Sequence, residues 1–390
     1  MSRFNFFTNR PLEKYRKCDS SIILLIILLW GIGIVALYFC SSSYGQRIFG
    51  SPFHFVKRQL ISSAIGFFGF LFFVIVDMNK IRKLLPIMVF ASVLLCFLIF
   101  VPGLGKTING ARRWLKVPFL STFQPSELIK MVMVLYLANF FDKQNKLLKQ
   151  EDKTVWPAVC FLLMFCGCVL MHKDFSTTCF IFMVGVLVFL ASGAKILWLF
   201  PLLLIVVPLA VLSVTLNEYR LNRIVGYLDQ TNYAQDYNYQ PMAAKRAIIS
   251  GGFWGQGFGS GLIKTGHVPE VQSDYIFAGW VEGTGFFGVI IYFILLGCFA
   301  WRVMVTVLTT SDRFASLASF GLLAVIVGQS LMNVAVVVGV IPSTGVPLPF
   351  FSSGGTSIII TLAMCGFIVN TSRIDKIDEQ DTSVGDVIYE

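Results

Sequence analysis

Ten stretches of about 17 to 25 mostly apolar residues recur along the chain, long enough to cross a hydrocarbon layer of roughly 30 Å. They run near 21–40, 60–76, 84–102, 125–141, 155–171, 175–192, 196–216, 275–301, 314–341 and 357–371. Lipid offers the backbone no hydrogen-bond partners, so a spanning stretch of this length must be a helix. The expected fold class is therefore an all-α integral membrane protein of about ten transmembrane helices. Composition agrees. Apolar residues make up 56% and charged residues 13%, against roughly half and a quarter in soluble domains.

The net charge of +10 is large, but the charges sit in short loops between apolar runs, which speaks against a nucleic-acid partner. Of nine cysteines, Cys96, Cys160, Cys166, Cys168 and Cys365 fall inside the spans. They read as small buried hydrophobes, not as a disulfide or zinc framework. Three histidines, His54, His172 and His267, argue against a multi-histidine metal site. A carboxylate-bound divalent cation (Mg or Mn) stays open, and no other cofactor is expected. Arg3, Arg10, Lys14, Arg16 and Lys17 precede the first span like a signal-peptide n-region. Its apolar part is too long for cleavage, so it reads as the first membrane helix.

Four segments are basic: the N-terminus, Lys80 to Lys83, the run 142–154, and Arg302 with Arg313. Helix parity puts all four on one side, which the positive-inside rule makes cytoplasmic. An even helix count returns Arg373 and Lys376 to that side, so both termini are expected in the cytoplasm. The expected organisation is one polytopic domain. Residues 1–20 and 372–390 are cytoplasmic, and 217–274 form a large outer loop between helices 7 and 8. Segments 41–59, 102–124, 172–174 and 342–356 face outward as well.

The polar residues of those outer segments are the candidates for chemistry. Asp274 stands at the membrane edge of a glycine-rich, loop-like insert, Tyr239 to Gly288. It reads either as a helix N-cap or as a catalytic carboxylate, and the two roles can coexist. Arg112 and Arg113 precede Trp114 on a face that the charge rule depletes of basic residues, so they read as headgroup anchors or ligand-binding groups. Pro125, Ser126 and Glu127 look like a helix entry, and Glu127 and Lys130 share one helical face. Such a pair either locks helices or faces a cavity. In 217–228, Leu221, Ile224, Val225 and Leu228 share a face, which predicts a helix lying in the membrane interface. Its Arg220 and Arg223 would anchor lipid or bind a pyrophosphate, for which the forked guanidinium is suited. Gly251 to Gly259 lack the preceding strand and following Gly-Lys-Ser/Thr of a phosphate loop. They read as flexible or tightly turning backbone. The segment 342–356 reads as a re-entrant turn closing a cavity.

Five motifs in order carry a family resemblance: Asn109-Gly-Ala-Arg-Arg-Trp114, Gln124-Pro-Ser-Glu-Leu-Ile-Lys130, the glycine run from Ala247, Val268-Pro-Glu-Val-Gln-Ser-Asp274-Tyr-Ile-Phe-Ala278, and Gly345-Val-Pro-Leu-Pro-Phe350 through Ser357. Across essentially the whole length the chain resembles the shape, elongation, division and sporulation family, with wording nearer its division branch. Two departures stand out. The family's Pro-Asp-Leu-Gly-Thr is here Lys173-Asp174-Phe175-Ser176-Thr177, which keeps the acid and requires a different turn. Glu282 is followed by Gly283 where the family often has a second acid.

The resemblance implies a glycosyltransferase that polymerises lipid II into glycan strands at the outer face of the cytoplasmic membrane, in septal synthesis. It implies Asp274 as the base, with Arg112, Arg113, Glu127, Lys130, Asp174, Arg220, Arg223, Glu282 and Ser353 as candidate substrate-binding residues. The substrates would be lipid II and glycan on undecaprenyl pyrophosphate. The implied partners are a class B penicillin-binding transpeptidase and the division machinery. A lipid II flippase, or the same polymerase serving elongation, is the rival reading.

Overall fold

The computed structural model describes residues 18–108, 111–117, 122–144, 155–194, 218–228, 239–258, 261–262 and 271–374, with scattered positions between 204 and 215. Helices fill nine of the ten expected spans: α1 Ser20–Phe49, α2 His54–Ile75, α3 Met78–Leu98, α4 Pro125–Lys143, α5 Trp156–Met171, α6 Phe175–Ala191, α9 Ile276–Thr309, α10 Arg313–Val338 and α11 Gly355–Thr371. The expected span 196–216 lies mostly outside the described residues. The chain is a multi-pass membrane protein. Its surface agrees, since large apolar side chains such as Phe68, Ile75, Phe90 and Trp301 are exposed along these helices, as lipid-facing walls must be.

Two features depart from the reading above, the hairpin and the helix that opens the insert. A hairpin of β1 Gly105–Ile108 and β2 Ala111–Leu115 adds a small sheet to the all-α fold. The expected interfacial helix is present as α7 Glu218–Leu228, and the supposedly loop-like insert opens with a helix, α8 Tyr239–Gly251. Alanine at 243, 244 and 247 gives α8 a small buried face. Its high helix propensity was masked by the glycines that follow.

Local chemistry sets the helix ends. Asp19, Asp77 and Asp312 cap α1, α3 and α10 by accepting from backbone N–H groups in the first turn. At this end of the bundle Arg82 pairs with Asp142 at 2.5 Å and Asp312 at 2.6 Å, and Arg302 pairs with Asp19 at 2.5 Å. The centre is α4 with α10, both buried along much of their length. Against them α2 and α11 approach backbone to backbone. A Cβ on Gly366 would stand 2.4 Å from the Phe70 carbonyl oxygen, and one on Gly66 3.0 Å from the Ile359 Cα. Small residues permit this contact, the main source of attraction between helices in lipid.

Candidate active site

The end of the bundle opposite the Arg82 cluster holds the polar cavity. It measures about 550 Å³ and is lined by α2, the hairpin, α7, α8, residues 273–274 and the segment 344–357. Helix α2 begins at His54, six residues earlier than the apolar run suggests, which turns Arg58, Gln59 and Ser62 inward from a helix. Sequence reasoning missed Arg58 and Gln59 by treating 41–59 as loop, and passed over Ser62 inside the apolar run. Their i, i+1, i+4 spacing on one helical face was the available clue.

Asp274 faces this cavity, half-buried, beside Ser273, whose Oγ donates to its Oδ1 at 3.1 Å. The N-cap of α9 is Tyr275, which makes no side-chain cap bond, so Asp274 stands one position ahead of the cap. Its backbone is held from two sides. Asn333 of α10 donates its amide to the Asp274 carbonyl at 2.8 Å. Ser352 Oγ donates to the Ser273 carbonyl at 2.6 Å, and Ser353 N to the Gln272 carbonyl at 2.8 Å. Gln59 adds a donation to the Ser352 carbonyl at 3.1 Å. Ser353 itself lines the cavity, and the segment around it closes one wall without regular secondary structure, as a re-entrant turn would.

The cavity carries three arginines, Arg58, Arg113 and Arg223, and one carboxylate, Asp274, among its described lining residues. That excess of positive charge suits an anionic ligand. Arg113 is positioned from the hairpin by Asp174, at 3.6 Å, and by the Lys173 carbonyl, to which it donates at 2.7 Å. Its Nε is buried without a partner among the described residues. Asp174 is itself buried, caps α6 through Thr177 N and accepts from Gln124. It holds Arg113 from behind and does not line the cavity. Lys173 sits at φ 59°, a left-handed backbone that proline cannot adopt, so the turn differs from the family's as expected.

A second cavity of about 480 Å³ adjoins the first through Ala111, Arg113, Arg223 and Thr344. Its walls are largely apolar, including Phe175, Cys179, Ile224, Met332 and Ile341, with Arg220 at the rim. Arg220 stacks over Phe175 at 5.1 Å. Burial first, and then the neighbouring Arg113 charge, pull its guanidinium below its ordinary value, while Asp174 opposes them.

Besides Asp174, four of the sequence candidates line neither cavity. Arg112 points away, exposed, with Nε donating to Thr107 at 3.2 Å. Glu127 and Lys130 do pair, at 2.7 Å, but inside the bundle, where Lys130 also donates to Gln329 at 2.5 Å. Gln329 passes the link on to the Pro347 carbonyl at 2.9 Å. This is a brace under the cavity wall. Glu282 is buried beneath the glycine-rich loop, accepting from Leu262 N at 2.7 Å and Ser250 Oγ at 3.1 Å.

Comparison with known proteins follows the same outline. The chain is 31% identical over 363 residues to a probable peptidoglycan glycosyltransferase FtsW of Geobacter sp. (strain M18), covering 93% of this chain and 98% of that protein. It is 30% identical to stage V sporulation protein E of Bacillus subtilis (strain 168), covering 92% and 98%. In fold it is similar to a chain of a peptidoglycan synthase complex studied for the coordination of polymerization and crosslinking. That match has a TM-score of 0.70 at 24% identity and covers 91% of this chain and 98% of the other. The rod shape determining protein RodA of Thermus thermophilus matches with a TM-score of 0.64 at 23% identity, covering 91% and 97%. The model of the FtsW, RodA and SpoVE cell cycle proteins matches residues 20–377, and the chain belongs to that family.

Proposed function

We propose that this chain polymerises lipid II into glycan strands, with Asp274 as general base. The observation that carries the reading is the half-buried Asp274 carboxylate facing one cavity with Arg58, Arg113 and Arg223. In the reaction, the GlcNAc 4-hydroxyl of lipid II attacks the anomeric carbon of the donor sugar. A C–O bond forms and the bond from that carbon to the pyrophosphate oxygen breaks. The hydroxyl proton passes to Asp274, since a sugar hydroxyl is a weak nucleophile until a base within reach removes it. The departing undecaprenyl pyrophosphate gains negative charge, which the arginines stabilise where it develops. The adjoining apolar cavity gives the first isoprene units of a lipid anchor an apolar wall beside those arginines.

A divalent ion fits this donor set only in the manner of magnesium, which is bound through one or two carboxylates plus substrate phosphate oxygens. Asp274 would be its protein ligand, and the ion would add charge neutralisation at the pyrophosphate. No group of three or more acids, histidines or cysteines stands together among the described residues, so those residues alone offer no closed cage.

The cavity end is read as the outer face of the cytoplasmic membrane and the Arg82 end as cytoplasmic, with both termini there, because the described basic residues Lys80, Arg82, Lys83, Lys143, Arg302 and Arg313 gather at the Arg82 end. The partner is read as a class B penicillin-binding transpeptidase working at the septum, by analogy with the synthase complex whose chain shares this fold. The test is Asp274→Asn, which preserves size and removes the proton acceptor. The purified variant, with its partner, polymerises lipid II at least roughly a hundredfold more slowly. Near-normal polymer from a folded variant removes the assignment. A flippase would move lipid II across vesicles and never make polymer.

A further inference from the structure

Helix α9 is broken at Gly285, whose φ of 67° and ψ of −162° are not helical. A break of this kind frees backbone groups that lipid cannot satisfy. Here the glycine-rich loop satisfies them. Gln256 N donates to the Glu282 carbonyl at 2.9 Å and Gly257 N to the Gly283 carbonyl at 3.1 Å. In return, Phe286 N donates to the Gly252 carbonyl at 3.0 Å and Phe287 N to the Phe253 carbonyl at 3.3 Å. The fit is backbone on backbone: a Cβ on Gly285 would meet Gly255 N at 2.3 Å, and one on Gly255 the Gly283 carbonyl oxygen at 2.3 Å.

The loop's side chains point the other way. Trp254 is 77% exposed and Phe253 is exposed beside it, with rings 5.9 Å from Phe286 (for Phe253) and 6.3 Å from Phe287 (for Trp254). No charged residue occurs from Ala247 to Ile263. A water-facing loop needs neither a backbone so completely paired with its neighbour nor a bare aromatic surface.

Depth decides between water and lipid. Arg302, paired with Asp19, is the only charged residue in the far half of α9 and stands seven residues before its end. Phe286 lies sixteen residues back along the helix, about 24 Å at 1.5 Å per residue. The hydrocarbon layer is roughly 30 Å thick, so Phe286, Phe287 and the rings against them fall short of its other boundary. Phe258 stacks on Phe39 at 4.2 Å, twenty residues and about 30 Å along α1 from Asp19, at the boundary itself.

We infer that the loop around Phe253 and Trp254 is a re-entrant element whose aromatic face lies in the acyl-chain region of the leaflet on the Asp274 side. This part of the segment expected outside the membrane is therefore within it. The element locks the first turns of α9, and with them Asp274, at the level where lipid-anchored substrates arrive. The inference needs only that the bundle crosses a bilayer, and it stands whatever the activity at Asp274.

The test uses the full chain in nanodiscs of brominated phosphatidylcholine, with bromine near the headgroup end of the chains. The fluorescence of Trp254→Phe, a conservative exchange at an exposed position, is subtracted from that of the natural chain to isolate Trp254 among seven tryptophans. The expected result is that brominated lipid removes most of the Trp254 emission while aqueous iodide leaves it unchanged. Quenching by iodide and not by brominated lipid overturns the inference by placing the loop in water. Resistance to both also overturns it, because protein would then cover this face. Lipid II polymerisation by Trp254→Phe, measured in parallel, reports separately on the site.

Discussion

The side-chain amide of Asn333 in α10 donates at 2.8 Å to the backbone carbonyl of Asp274 and at 2.8 Å to that of Val346. One buried amide thus ties the candidate base to the irregular 344–354 wall of its cavity. Asn333→Ala removes both bonds and leaves two carbonyls short of donors, at about 1–3 kcal/mol each. We expect polymerisation to fall by at least about tenfold. Asn333→Gln, which keeps the donors but misplaces them, should recover part of the loss. A structural role alone would lower stability and rate together. A positioning role lowers the rate of protein that still purifies and binds its partner.

The Glu127–Lys130 brace should behave as a coupled pair. Glu127→Ala strands a buried ammonium and Lys130→Ala a buried carboxylate, each costing on the order of 3–5 kcal/mol. The double mutant should be less impaired than the sum of the two in thermal stability. Strict additivity in the cycle would mean that the two groups do not interact.

Adjacent arginines in the hairpin should separate cleanly. Arg113 lines both cavities, whereas Arg112 is exposed and bonded only to Thr107 among the described contacts. Arg113→Ala should reduce polymerisation by at least roughly tenfold, since an arginine aimed at developing charge contributes several kcal/mol. Arg112→Ala should leave the rate within about twofold, a difference worth under 0.5 kcal/mol. Equal losses from the two would contradict the placement.

A divalent ion shared between Asp274 and the substrate pyrophosphate predicts that EDTA lowers polymerisation and that added Mg²⁺ restores it. Asp274→Asn should show no such recovery. Activity indifferent to chelation would remove the ion from the scheme.

Sidedness can be read with a membrane-impermeant thiol reagent. A cysteine at Lys106, in the hairpin, should label in intact cells, and one at Gln144, at the end of α4, only after lysis. Labelling of both from the same side would invert the assignment of the cavity end.

The apolar runs by themselves determined the helical class and nine described helices to within a few residues at most ends, because lipid leaves a long apolar chain no other way to satisfy its backbone. Sequence spacing also determined the Glu127–Lys130 pair and the amphipathic α7, since both follow from the helical repeat. What the residues form with each other was decided in three dimensions. Arg112 and Arg113 are neighbours in sequence, and only strand alternation sends one to the cavity and the other to solvent. Glu127 and Lys130 left a helix lock and a cavity-facing pair both open, and packing made them a brace, while Glu282 became a loop anchor. Arg58 and Gln59 joined the site because α2 starts before its apolar run does. Asp274 stood out in the sequence, but its setting depends on Asn333 and Ser352, 59 and 78 residues further along. Such long-range hydrogen bonds exist only once the helices have packed, and no local pattern encodes them.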